Sequence, residues 1–372
     1  MISCGEPSGD LYAGALVEAL RKRDSSLEVF GLGGERLSAA GARLVADFRG
    51  LSVTGLTEAL KVLPRSWATY KQLVLAARQR RPDVLVLVDY PDFNFRLMRA
   101  IKALGVPIVY YISPQLWAWR PGRMKTMKAL VDRVLVIFPF EAAIYREAGV
   151  DVRFVGHPLL EMVSPTADKT TLAREFGLDA SRPVVALLPG SRANELSRLA
   201  PVLAEAAVLI AQRVPGVQFV VARAPHLDGE LFAPLGRTTI VEGRTDDVLS
   251  ISDLVLTASG TATVQTAMHG KPMVVLYKLS PMTYRLGKPL AKVDMYAMVN
   301  LIAGRRIVRE LIQDECTPAS VAEEAVALLT NSGRRDEMVR NLEAVKVALG
   351  GLGASDRAAD AVVELVSPPV TL

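Results

Sequence analysis

The sequence predicts an α/β protein of two parallel-sheet domains facing a cleft, with a helical C-terminal tail. Three observations predict it. Short apolar runs alternate with amphipathic stretches almost throughout, the pattern of βα repetition. The runs, such as Val84-Leu85-Val86-Leu87-Val88, are continuous and rich in β-branched residues, as parallel strands buried on both faces require. The alternation fades between Val155 and Thr170, a stretch with Pro158 and Pro165 and little periodicity, and then restarts.

In chain order, strands are expected at Ile2–Cys4, Val29–Leu32, Val84–Val88, Ile108–Ile112 and Val134–Ile137. The first is very short, as a clipped start would leave it. Helices are expected at Leu11–Arg23, Trp67–Arg80, Phe93–Leu104, Arg123–Leu130 and Phe140–Ala148. After the linker, strands fall at Val184–Leu188, Phe219–Ala222, Thr239–Val241, Leu254–Thr257 and Met273–Leu276, and helices at Leu172–Phe176, Glu195–Arg213, Asp246–Ile251 and Thr261–His269. Both halves are Rossmann-like. From Pro318 the tail reads as three helices, with Gly350-Gly351-Leu352-Gly353 before the last. The expected domains are 1–158, 159–345 and a final helix, 346–372, packing back on the N-terminal domain.

The 372 residues favour two domains over one. Half the residues are hydrophobic and mean hydropathy is +0.26, yet no run approaches the ~18 apolar residues of a membrane span. No signal peptide is visible, so a cytoplasmic chain is expected, with apolar surface for a lipid or a partner. Net charge is +5, with basic clusters at Arg21-Lys22-Arg23, Arg78–Arg81 and Arg120–Lys128. Solvated helix faces are the default reading; an anionic membrane or a phosphate-bearing substrate is the sharper one. No recognition motif points to nucleic acid. Cys4 and Cys316 make no disulfide framework, and the three histidines form no metal-ligand pattern, so no metal and no cofactor are expected.

Candidate chemistry lies at strand ends, where open α/β sheets bind ligands. Val84–Val88 runs into Asp89 and, three residues on, Asp92. Asp92 immediately precedes a helical run and suits an N-cap; nothing local needs Asp89, which leaves it for chemistry. Gly5-Glu6-Pro7-Ser8-Gly9-Asp10 opens a helix, either as a substrate-facing loop through Ser8 and Gly9 or as a plain turn capped by Ser8 or Asp10. Gly31-Leu32-Gly33-Gly34 lacks a dinucleotide loop's third glycine and reads as a turn. Gln115, Trp117, Trp119 and Arg120 suggest a sugar or acyl platform, or a loop packed by its aromatics. Gly190, Ser191 and Arg192 follow a strand and suit a diphosphate, as do Ser259, Gly260 and Thr261. Two such sites in one domain suggest a nucleoside diphosphate. Gln265, one turn further on, reaches a ribose or solvent equally well. The stripe Leu51, Val53, Leu56, Leu60, Leu63 and Trp67, with Lys61 and Arg65, reads as core or as a membrane surface.

Taken together, several segments resemble the lipid-A-disaccharide synthase family: Gly5–Asp10, Val88–Asn94, Ser113–Trp119, Gly156-His157-Pro158, Leu188–Arg192, Ala258–Ala262 and Asn300-Leu301-Ile302-Ala303-Gly304-Arg305. Each is weak alone; in order along the chain they are specific. The resemblance implies a metal-independent, inverting glycosyltransferase of the GT-B type at the cytoplasmic face of the inner membrane. It implies transfer of 2,3-diacylglucosamine from UDP to the 6-hydroxyl of 2,3-diacylglucosamine 1-phosphate. It marks Asp89 as the essential acid, Arg192 with Ser191 as the diphosphate contact, and Asn300 as another active-site residue; Ser8, Gly9, Gln115, Trp117, Arg120 and Arg305 are expected beside them at the substrate. One departure is Gln265, where related sequences carry Glu for the ribose. An anionic membrane surface is the expected partner, and a homodimer stays open. A UDP-N-acetylglucosamine 2-epimerase and a non-catalytic UDP-sugar scaffold are the rival readings.

Overall fold

A computed structural model describes residues 1–49, 51, 56–119, 121–225, 227–236, 238–280 and 294–366, with backbone alone for 56–62, 118, 119 and 121. Arg120, Val53 and the side chains of Leu56, Leu60 and Lys61 therefore lie outside the described residues. The chain forms two compact units, Met1–Glu161 with Leu349–Leu372, and Met162–Ala348.

The first unit runs β1 (Ile2–Cys4), α1 (Pro7–Arg23), β2 (Phe30–Gly33), α2 (Glu35–Ala39), β3 (Arg43–Asp47), α3 (Leu56–Arg80), β4 (Leu85–Val88), α4 (Pro91–Lys102), β5 (Ile108–Tyr111), α5 (Leu116–Trp119), α6 (Met124–Leu130), β6 (Arg133–Val136), α7 (Pro139–Glu147) and β7 (Val152–Phe154). The described strands make a parallel sheet of order β3-β2-β1-β4-β5-β6-β7. β4 is the central strand: it pairs with β1 (Cys4 opposite Val88) and with β5 (Val88 opposite Tyr111). Leu85 and Leu87 are fully buried, each worth about 1.5–3 kcal/mol, and pack with Leu73, Leu97 and Ile101 from the helices.

The second unit runs α8 (Lys169–Glu175), β8 (Val184–Leu188), α9 (Ala193–Arg213), β9 (Gln218–Arg223), β10 (Thr239–Glu242), α10 (Thr245–Ile251), β11 (Leu254–Ala258), α11 (Thr261–Met268), β12 (Met273–Tyr277), a helix at Met298–Ala303, β13 (Arg309–Ile312) and helices at Pro318–Thr330 and Ser332–Ala348. Its parallel sheet has the order β10-β9-β8-β11-β12-β13. β8 and β11 are neighbours, with Leu188 opposite Thr257, so the loops after both strands leave the sheet side by side.

The last helix, Ala354–Val366, packs on α1 within the first unit. Arg23 donates to Asp356 and Asp360, the Glu161 carboxylate accepts from the Ala354 amide, and Arg357 donates to the Val155 carbonyl (2.8 Å). Gly156 (φ +84°) lets this segment approach: a Cβ there would lie 2.6 Å from Arg357 Nη2. The basic cluster at Arg21–Arg23 is thus used inside the fold, Arg21 donating to the Gly41 carbonyl.

Three strands escape the sequence reading: β3, β7 and β13. All are sheet edges, with charged residues (Arg43 and Asp47, Arg153, Arg309 and Glu310) that break the apolar run. α3 begins eleven residues before the expected Trp67 because it runs straight through Pro64, which reads as a boundary.

Candidate active site

In the first unit the site gathers at the carboxyl end of β4. Asp89 and Tyr90 both take left-handed backbone, at φ +45° and +50°, costly for residues with side chains. The Asp89 carbonyl accepts from Asn94 Nδ2 (2.7 Å) and from the Tyr110 hydroxyl (2.8 Å), and its amide donates to the Tyr111 carbonyl (3.2 Å). Asn94 is itself fixed by the Ser3 hydroxyl, which donates to its Oδ1 (2.8 Å). Groups on α4, β5 and β1 therefore hold the turn at Asp89. Tyr12 and Tyr110 face its charge; burial, and then Asp89, push both hydroxyls well above the ordinary range.

Asp92 is not the helix cap. α4 starts at Pro91 with Tyr90 as its cap residue, and Asp92 lies in the first turn, where its carboxylate accepts from Arg123 (2.8 Å). Gly5 is required by Tyr90: a Cβ at Gly5 would lie 2.2 Å from the tyrosine ring. Asp10 caps neither turn of its own helix. Buried in α1, it accepts from the amides of Gly34 (2.7 Å), Arg36 (2.9 Å) and Leu37 (3.2 Å), and so caps α2. Ser8 and Gly9 lie in the first turn of α1, Gly9 buried and Ser8 half-buried.

Trp117 and Gln115 follow β5, both half-buried. The Trp117 ring meets Phe140 edge-on at 5.1 Å, and its Nε1 donates to Glu141 Oε1 (3.2 Å). Glu141 is fully buried in the first turn of α7, and among the described residues nothing hydrogen-bonds its Oε2. Burial raises its carboxyl to about 8; the Trp117 and backbone hydrogen bonds oppose the shift and the Asp89 charge adds to it. His157 is buried between Tyr12 and Phe138; its Nδ1 accepts from the Leu159 amide (3.2 Å), and burial lowers it to about 3, so it is neutral.

In the second unit Gly190 (φ +116°) turns the chain after β8, and Arg192 is the cap residue of α9. Arg192 is exposed and reaches Glu195 (3.4 Å) one turn on; that carboxylate packs over Gly190, where a Cβ would lie 2.6 Å from Oε2. Ser191 is exposed beside them. After β11, Ser259 donates to the Tyr296 carbonyl (3.1 Å), Gly260 (φ +148°) is the cap residue of α11, and Thr261 is the first, exposed residue of that helix. Two helices thus start side by side, each with its positive dipole end at a strand end, and a guanidinium stands beside them. The arrangement suits an anion. Gln265, one turn into α11, donates through Nε2 to Asp246 (2.8 Å).

A family model described as lipid-A-disaccharide synthetase matches residues 1–361. The chain belongs to that family. It is 47% identical to a lipid-A-disaccharide synthase of Myxococcus xanthus over 99% of this chain and 97% of that protein. It is 42% identical to one of Geobacter sulfurreducens over 100% and 98%. Among solved structures it is similar to a UDP-GlcNAc 2-epimerase from Neisseria meningitidis bound to UDP-GlcNAc (TM-score 0.69, 13% identity, 98% of each chain). It is also similar to the calicheamicin glycosyltransferase CalG4 (TM-score 0.60, 17% identity, 99% and 97%). At those identities the likeness concerns the fold, which is of the GT-B type. The enzyme is a glycosyltransferase of lipid A biosynthesis.

Two residues expected to touch substrate are engaged by other groups of the second unit. Asn300 is fully buried and saturated: its Oδ1 accepts from the amides of Ile307 (2.8 Å) and Val308 (3.0 Å), and its Nδ2 donates to the Val308 carbonyl (3.0 Å) and Glu310 (2.8 Å). Glu310 accepts in turn from the Tyr296 and Ala297 amides, so Asn300 braces the segment on which Ser259 leans. Arg305 donates to Asn341 (2.6 Å) and lines a groove of about 620 Å³ whose walls include neither Gly190–Arg192 nor Ser259–Gln265. Sequence reasoning missed Asn94, Tyr110 and Glu141. Asn94 and Glu141 each sit within three residues of a strand-to-helix Pro, a signal that places an element start without revealing burial.

Proposed function

We propose that the enzyme transfers 2,3-diacylglucosamine from its UDP donor to the 6-hydroxyl of 2,3-diacylglucosamine 1-phosphate, with inversion to a β-1,6 linkage. The Asp89 carboxylate takes the hydroxyl proton as O6 attacks the anomeric carbon. The O6–C1 bond forms, the bond from C1 to the diphosphate oxygen breaks, and UDP leaves. Gly190, Ser191, Arg192 and the Ser259-Gly260-Thr261 start of α11 stabilise the negative charge that grows on UDP. Gln265 accepts from the ribose. Ser8, Gly9, Gln115 and Trp117 line the acceptor side.

The observation that carries this reading is the pinned turn at Asp89: two consecutive left-handed residues, Asp89 and Tyr90, follow the central strand, and Asn94 and Tyr110 hold the Asp89 carbonyl there. A membrane surface as partner is supported by α3. Leu51 is buried, whereas Leu63, Trp67 and Leu75 are 48%, 51% and 56% exposed, with the Lys71 ammonium over the Trp67 ring. No helix among the described residues is long and apolar enough to cross a membrane. The test is an assay of the purified chain with both diacylated substrates, following UDP release and the disaccharide 1-phosphate. Stoichiometric appearance of both is expected; UDP release without disaccharide, or conversion of the donor alone, overturns the reading.

A further inference from the structure

α10 and α11 meet at one carboxylate oxygen. Asp246 Oδ1, in the first turn of α10, accepts from Gln265 Nε2 at 2.8 Å and lies 2.8 Å from His269 Nε2. Gln265 lies in α11 and His269, four residues on, is its helical C-terminal cap residue, so they reach Asp246 from one flank of the helix. Asp246 is partly exposed and His269 nearly covered, their side chains 26% and 7% accessible. An ionised carboxylate only accepts hydrogen bonds. The Gln265 amide therefore turns its NH₂ group to Asp246 and its carbonyl Oε1 away, and His269 carries its proton on Nε2.

That orientation matters because Gln265 lies one turn beyond Thr261 in the helix whose start is assigned to the diphosphate. A glutamate accepts through either oxygen. A glutamine accepts through one, and a freely rotating amide presents the wrong group part of the time. The two hydroxyls of a ribose need acceptors. We propose that Asp246 is a positioning residue: by holding the Gln265 NH₂ group it fixes Oε1 as the acceptor for the ribose diol of UDP, and His269 steadies Asp246 from the second side. The proposal rests on the UDP assignment above.

The test measures binding of UDP and of 2′-deoxy-UDP to the full chain by titration calorimetry. The wild-type chain binds UDP about tenfold more tightly than 2′-deoxy-UDP, the factor for one well-made hydrogen bond. In Asp246→Ala the ratio falls to about twofold or less while 2′-deoxy-UDP binds as in the wild type, because only the ribose contact is lost. Adding Gln265→Glu to Asp246→Ala restores the ratio, since a carboxylate needs no orienting. Should Asp246→Ala fail to fold, Asp246→Leu decides: an apolar side chain of similar shape cannot accept from Gln265, and the ratio drops at least about threefold. An unchanged ratio, or equal weakening of both nucleotides, overturns the positioning role. A wild-type chain that binds neither nucleotide overturns the UDP assignment itself, and one that binds both equally overturns the ribose contact alone.

Discussion

The two units share a parallel α/β plan but use their strand ends differently. Beyond β4 in the first unit, titratable groups crowd together: Asp89 is held in strained backbone, with Tyr12, Tyr110 and a buried, protonated Glu141 facing its charge. Beyond β8 and β11 in the second unit, the chain offers glycines, hydroxyls and helix starts, and the guanidinium at the turn, Arg192, is exposed. A carboxylate held at a strand end suits proton transfer; backbone N–H groups at helix starts suit a phosphate. On the proposed reading the same fold yields a base in one unit and an anion cradle in the other, through the loops that leave the strands and not through the sheets themselves.

The contrast can be broken most severely at Asp89. Asp89→Asn keeps the shape and removes the basic oxygen; turnover is expected to fall by about 10²–10⁴, the usual share of a general base. Steady-state UDP release checks it. Next in size is Arg192→Ala, for which UDP affinity is expected to drop by about tenfold to a hundredfold, the worth of a charge-assisted contact. Calorimetry with UDP reads it, and unchanged affinity removes Arg192 from the cradle.

Glu141 sharpens the contrast through pH. Its carboxyl titrates at about 8 in the folded chain against an ordinary 4.5, so the unfolded chain releases this proton first as pH rises. Its contribution to stability is full below 4.5, declines between 4.5 and 8, and is flat above. Integrated over that window the loss is at most about 5 kcal/mol. Glu141→Gln is expected to abolish that decline, so its Tm gain over the wild type is larger at pH 8 than at pH 5; an equal gain at both contradicts the assignment. His157 acts oppositely: with its pKa lowered from 6.5 to about 3, stability is lost as pH falls from 6.5 toward 3. The smallest effect is expected on α3. Leu63→Ser with Trp67→Ser leaves Tm within about 1–2 °C, as exposed positions should, and weakens cosedimentation with anionic vesicles. A large drop in Tm with unchanged vesicle binding makes the stripe core.

Much of the architecture is legible in the sequence because the central strands are buried on both faces and write themselves as continuous apolar runs. The edge strands β3, β7 and β13 are not, since one side faces water and admits Arg and Glu. At the site, the position of Asp89 is legible from the end of the run Val84–Val88. Its pinned turn is not, because the clamp comes from Asn94 and Tyr110, brought together by the register of β4 and β5. Glu141 reads as an ordinary first-turn acid; only three-dimensional packing buries it. Asn300 is legible as a marked residue of its motif, but its role is not: amides that brace a turn and amides that bind sugar are the same residue until their partners are seen.

The most direct test of this division is the UDP dissociation constant of Asp89→Asn. If the first unit supplies the base and the second holds the nucleotide, that variant binds UDP within about twofold of the wild type while its turnover is lost. UDP binding weakened tenfold or more, or turnover near that of the wild type, would contradict it.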